Sequence, residues 1–155
     1  MPGRLQAELK QSKPFPSPTA EALLGILRTA AVLDHHLAEA LKPYGITTTQ
    51  YNVLRILRGA GQKGLCGREV AARLVSKVPD VSRLLDRTEE LGLIKRERDP
   101  ADRRHVTARI AEKGLAVLEQ ATPALEAIQR RRFGSLDPEG LQRLIAALED
   151  VRGAL

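Results

Sequence analysis

Between Thr19 and Lys42 the apolar residues Leu23, Ile26, Leu27, Ala30, Leu33, Leu37 and Leu41 recur three and four apart, the stripe of a long amphipathic helix. Thr19 is the expected N-cap and Pro43-Tyr44-Gly45 the stop. Thr47-Thr48-Thr49-Gln50 then has capping-box form, opening a helix to about Arg58 that packs through Tyr51, Leu54, Ile56 and Leu57. After a glycine-rich loop, Leu65-Cys66 reads as a short strand. Gly67 starts a short helix from Arg68 to Val75, with Val70, Ala71 and Leu74 inward. Ser76-Lys77 turns the chain into a second helix beginning near Val78 or Pro79. Its buried face is Val78, Val81, Leu84, Leu85, Thr88 and Leu91, and Gly92 ends it. Asp80, Ser82, Arg83, Asp86 and Arg87 fall on the outward side.

Past Gly92 the period drops from helical to two. Ile94, Arg96 and Arg98 alternate with Lys95 and Glu97, and Val106, Ala108 and Ile110 alternate with Thr107 and Arg109. The polar stretch Asp99-Pro100-Ala101-Asp102-Arg103-Arg104 between them makes a β-hairpin with arginines at its tip. Helical spacing returns from Glu112 to about Phe133 through Leu115, Leu118, Thr122, Leu125 and Ile128. Pro123 should kink this helix. Arg130-Arg131-Arg132 at its end either offsets the helix dipole or contacts phosphate. Asp137-Pro138 opens a last helix with the stripe Leu141, Leu144, Ile145, Leu148, Val151 and Leu155. Residues 1–18, with Pro14, Pro16 and Pro18 alternating with Phe15 and Ser17, are expected to form an extended arm. The fold class is mainly α with one small β-hairpin.

Composition narrows the function. Hydrophobic residues make up 43% and aromatics 3%, so aliphatic side chains must build the core. No apolar run is long enough to span a membrane. The first residues lack the apolar core of a signal peptide, and a single cysteine rules out an internal disulfide framework. These features imply a cytoplasmic protein. The net charge of +6 is localised: residues 55–113 hold 15 Lys and Arg against 9 Asp and Glu, while the flanks hold 10 of each. A phosphate backbone is the natural partner of such a segment. A polar-faced helix followed by an arginine-tipped hairpin suits the two grooves of DNA.

Val81-Ser82-Arg83-Leu84-Leu85-Asp86-Arg87, Glu90-Leu91-Gly92-Leu93-Ile94, Asp99-Pro100-Ala101-Asp102-Arg103-Arg104 and Gly114 together resemble the winged helix-turn-helix of the MarR family of bacterial transcriptional regulators. The resemblance runs from about Thr19 to the C-terminus. It implies a winged helix-turn-helix region at 47–111, dimerisation helices at 19–46 and 112–155, and an arm at 1–18. It also implies a homodimer on a pseudo-palindromic double-stranded DNA operator. Asp80, Ser82 and Arg83 are placed for base edges, with Pro79 at the helix start; Lys77 and Arg87 are placed for phosphates. Arg87 and Asp86 could equally form an ordinary surface pair. In the wing, Arg104 is the expected minor-groove reader, with Asp102 orienting its side chain and Arg103 as phosphate contact or structural ion pair. Effectors of the resembled family bind where the dimerisation helices meet the winged helix, which makes His36, Tyr51 and Arg55 candidate contacts for a small molecule.

Two departures from the family pattern stand out. Ile110-Ala111 replaces Leu-Thr before Gly114, and alanine is a poor cap; Thr88 stands where leucine is common. Cys66 reads as a buried structural thiol. His35 and His36 are adjacent on one helix, so they cannot both face one metal. No phosphate loop, nucleophile–base pair or metal-ligand cluster emerges, so neither an enzyme nor a cofactor is expected. The alternative from another class is a winged-helix protein-interaction module without specific DNA binding.

Overall fold

A computed structural model describes residues 3–153. Two compact units result, one ending at Glu39 and the other starting at Ala40.

The first unit contains α1 (Arg4–Glu8) and nearly all of α2 (Pro18–Leu41). The expected extended arm is therefore helical over five residues. Arg, Leu, Gln, Ala and Glu are all good helix formers, and Arg4 pairs with Glu8 at 3.1 Å, one turn on. Leu5 lies against Gly25 of α2, where a built Cβ would meet Leu5 Cδ2 at 3.7 Å. The start of α2 also differs from expectation. Pro18 is its first residue, and Ser17 Oγ, not Thr19, accepts from the Ala20 N–H at 3.1 Å. Proline costs nothing at that position, where its missing donor has no helical partner.

The second unit is helices around a three-stranded antiparallel sheet of order β1-β3-β2: β1 (Leu65–Cys66), β2 (Ile94–Arg98) and β3 (Val106–Ile110). Leu65 faces Ala108, which confirms that the short strand pairs with the hairpin; Ile94 faces Ile110 and Arg98 faces Val106. Helix α3 (Thr48–Ala60) begins with both bonds of the capping box, Gln50 N–H to Thr47 Oγ1 at 3.1 Å and Thr47 N–H to Gln50 Oε1 at 3.0 Å. It packs on β3 and on α6 (Glu112–Phe133), and Val53, Leu54, Leu57 and Leu118 at these contacts are wholly buried. Each such side chain contributes about 1.5–3 kcal/mol relative to exposure.

Helix α6 runs unbroken through Pro123, starts at Ala111 without a side-chain cap, and buries Leu118, Ala121 and Leu125. Of its stripe, Leu118 and Leu125 are buried within the chain, while Leu115, Thr122 and Ile128 are half-buried. Its approach to the sheet demands Gly114, since a Cβ there would lie 2.1 Å from the Leu93 carbonyl oxygen. Asp137 caps α7 (Pro138–Gly153), accepting from the Gly140 N–H at 2.7 Å. Among its stripe residues Leu144, Ile145 and Val151 are exposed, and Leu155 lies outside the described residues. No helix among the described residues is long and apolar enough to cross a membrane.

Candidate nucleic-acid interface

Helix α4 (Gly67–Arg73) is shorter than its sequence pattern suggested; Leu74 is already extended, Val70 is buried and Ala71 is exposed. Glu69 accepts from the Cys66 N–H at 2.9 Å and so caps it. That bond, with help from Arg73 and Lys63, holds the Glu69 carboxyl below the usual carboxylate range. Cys66 itself is half-buried, not buried as expected, because its strand lies at the sheet edge beside an open cleft.

The polar-faced helix, α5 (Val81–Glu90), also starts later than expected. Pro79 lies in the turn ahead of it, and Asp80 is its N-cap, accepting from the Arg83 N–H at 2.9 Å. A short acceptor one residue before the helix satisfies an orphan donor that a helix beginning at Val78 or Pro79 would have left to water. One Asp80 oxygen is thus committed to the helix start. Leu85 and Thr88 face the core, and the Thr88 hydroxyl donates to the Leu84 carbonyl at 2.7 Å. Leu91, expected inside, is 41% exposed because the helix has ended at its C-cap. Ser82, Arg83 and Arg87 stand outward, as does Lys77 in the turn.

At the hairpin tip two aspartates organise backbone, not side chains. Asp99 accepts from the Ala101 N–H at 2.8 Å, and Asp102 from the Arg104 N–H at 3.0 Å. The His105 N–H donates to the Asp102 carbonyl at 2.9 Å, and the Asp102 carboxylate lies 3.8 Å from His105 Nδ1. The expected Asp102 bond to the Arg104 guanidinium is replaced by this Asx turn, in which the short side chain reaches its own backbone two residues on. Among the described residues neither Arg103 nor Arg104 forms an ion pair, and both are exposed. The hairpin and α5 frame an open cleft of about 550 Å³, whose lining includes Ser82, Arg104, His105 and Cys66. Two residues read separately from the sequence, Ser82 and Arg104, thus meet at one concave surface.

The base of the hairpin is built differently. Arg96 of β2 donates from Nε to Glu89 Oε2 at 2.9 Å and from NH2 to Asp86 Oδ1, while its own N–H donates to Glu89 Oε1 at 2.9 Å. Burial pulls the guanidinium pKa down, but the bonds from Asp86 and Glu89 outweigh it and raise the pKa above its ordinary value. Asp86 is therefore committed to Arg96, not to Arg87. Arg109 similarly pairs with Glu97 at 2.7 Å and donates to the Gln62 carbonyl at 2.6 Å. The sequence reading missed the Arg96 clamp. Its signal was Asp86 and Glu89 three apart on a helix face, with Arg96 on the same strand face as Ile94.

The candidate effector residues do not converge so clearly. Tyr51 and Arg55 lie one turn apart on α3, and Arg55 lines a second open cleft of about 410 Å³ with Lys63 and Arg73. Tyr51 is half-buried and lies outside that lining; His36 is in the other unit, its ring edge-on to His35 with centroids 5.6 Å apart. Among the described residues no group of His, Cys, Asp and Glu is placed to hold a metal ion.

A helix, a turn, a second helix with an outward polar face and a flanking hairpin define a winged helix-turn-helix protein. A family model described as the MarR family matches residues 44–105. YkoM of Bacillus subtilis (strain 168), named as an uncharacterized HTH-type transcriptional regulator, is 29% identical over 119 residues, covering 77% of this chain and 75% of YkoM. The crystal structure of a MarR transcription factor from Planctomyces limnophilus is 32% identical with a TM-score of 0.68, the match covering 87% of this chain and 98% of that one. The fold is also shared with S. aureus MepR, solved as a DNA complex, at 24% identity and a TM-score of 0.77 over 87% of this chain and 97% of MepR. The chain belongs to the MarR family of transcriptional regulators.

Proposed function

We propose that the protein is a dimeric, sequence-specific DNA-binding repressor acting in the cytoplasm. One observation carries the reading: among the described residues Arg83 and Arg87 on the outward face of α5 and Arg103 and Arg104 at the hairpin tip form no ion pair, and Ser82 and Arg104 line one concave surface. Arg83 and Ser82 would meet base edges in the major groove, with Lys77 and Arg87 on flanking phosphates. Arg104 would enter the adjacent minor groove, where the potential is most negative, and Arg103 would meet its phosphates. Asp102 would serve by holding the tip turn, and Asp80 by capping the reading helix, behind Pro79.

The dimer is supported by apolar positions left in solvent on two helices, Leu23 and Leu27 on α2 and Ile145 and Val151 on α7, all more than half exposed. A two-fold dimer would set its two reading helices about one turn of DNA apart, about 34–36 Å, on a pseudo-palindrome. Occupying a promoter in this way blocks transcription. A small-molecule effector contacting His36, Tyr51 or Arg55 would relieve repression by binding better to the DNA-free spacing of the two reading helices.

The test is selection of duplexes from a random pool by the purified protein at near-physiological salt. The expected result is an enriched pseudo-palindrome with half-sites about one turn apart. An unenriched pool would refute specific DNA binding and leave the protein-interaction module.

A further inference from the structure

One hydrogen bond reaches the turn between α4 and α5 from a side chain on another element. From Val75 to Asp80 the chain is neither helix nor strand. The cap at Asp80 secures the far end. At the near end the Val75 N–H donates to Asn52 Oδ1 at 2.9 Å, across 23 residues of sequence. Among the described residues, Ser76, Lys77 and Val78 make no hydrogen bond, so Asn52 is the sole polar anchor ahead of the cap. The Val75 side chain adds no packing there, being 89% exposed, although Leu74 and Val78 on either side are half-buried. The anchor itself is rigid. Asn52 is half-buried on α3, followed by Val53 and Leu54, both wholly buried, so its backbone is held by the core while its amide reaches out to the turn.

We infer that Asn52 is a positioning residue for DNA recognition, fixing the turn that carries Lys77 and presents the N-terminal end of α5. The inference rests on the DNA-binding reading above. A backbone donor satisfied by a side chain on another element has its place set by that element. With the bond, the turn is ordered before DNA arrives. Without it, the turn must be ordered at the moment of binding, and that cost falls on affinity. The cost is specific: a loose turn still offers its lysine to phosphate, but it presents Ser82 and Arg83 to base edges in many orientations. Specific binding should suffer, while sequence-blind binding should not.

The experiment compares wild type, Asn52→Ala and Asn52→Asp. Two quantities are read: hydrogen exchange of the Val75 amide in the free protein, and the ratio of affinities for the selected duplex and a scrambled one. Asp keeps the acceptor oxygen, and its added charge weakens both duplexes together, so it leaves the ratio in place. Asn52→Ala should lose Val75 protection and lower the ratio about five- to tenfold, as expected for one hydrogen bond, with an unchanged melting temperature. Asn52→Asp should keep both protection and ratio. An Asn52→Ala protein with the wild-type ratio would overturn the inference, as would equal losses on both duplexes accompanied by a lowered melting temperature. A wild-type ratio near one would instead refute specific DNA binding itself, a failure visible before any variant is made.

Discussion

At the base of the hairpin, Arg96 is gripped by Asp86 and Glu89 of the neighbouring helix; at its tip, Arg103 and Arg104 stand in solvent with no acid partner among the described residues. A paired arginine has its field cancelled within a few ångströms, so it fixes the hairpin's angle to the reading helix but attracts little. An unpaired one projects its charge outward, where a phosphate or a minor groove can use it. Within residues 55–113 the acids thus separate clamped arginines, Arg96 and Arg109, from open ones such as Arg103 and Arg104.

The sharpest break of the frame is steric. Gly114→Ala drives a Cβ to 2.1 Å from the Leu93 carbonyl oxygen, at the start of the hairpin. It should destabilise the fold by about 3 kcal/mol, read as a shifted urea midpoint with the slope unchanged. Arg96→Ala removes the clamp and leaves two carboxylates facing each other. About 2 kcal/mol should be lost in the same assay. Asp102→Ala should leave stability within about 0.5 kcal/mol but weaken operator binding about threefold in a titration, since it frees the turn beneath Arg104.

The smallest effect concerns an acid that caps and does not pair. Glu69 has its folded pKa lowered from 4.5. Its contribution is complete above that unfolded value and is lost as pH falls through the folded one. Glu69→Gln should flatten the acid limb of stability against pH, with no change near neutrality beyond the lost cap charge.

Much of this was legible in the sequence. Helical and two-residue periods located α2, α3, α5, α6, α7 and the hairpin, and Thr47–Gln50 and Asp137 were readable as caps. Local chemistry decided the misses. The helix start was one such miss: Asp80 caps α5 through one carboxylate oxygen, so the helix begins at Val81 and not at Val78 or Pro79. Asp102 likewise bonds the Arg104 N–H two residues away instead of its flexible guanidinium. The partners of Arg96 and Asn52 lie 7 to 23 residues distant, across turns that periodicity does not fold, so the spacing of Asp86 and Glu89 hinted at a cation but did not say which. For α6 the pattern showed which face is apolar but not that Leu118 and Leu125 of it would be covered by α3 and its neighbours.

On the proposal above, Arg83, Arg87, Arg103 and Arg104 would contact DNA, while Arg96 and Arg109 hold the hairpin in place. The most direct measurement is the affinity of Arg104→Ala for the selected operator, beside its melting temperature. A loss of about tenfold or more with an unchanged melting temperature is the predicted result. Wild-type affinity, or a loss that merely tracks a fall in stability, would contradict it.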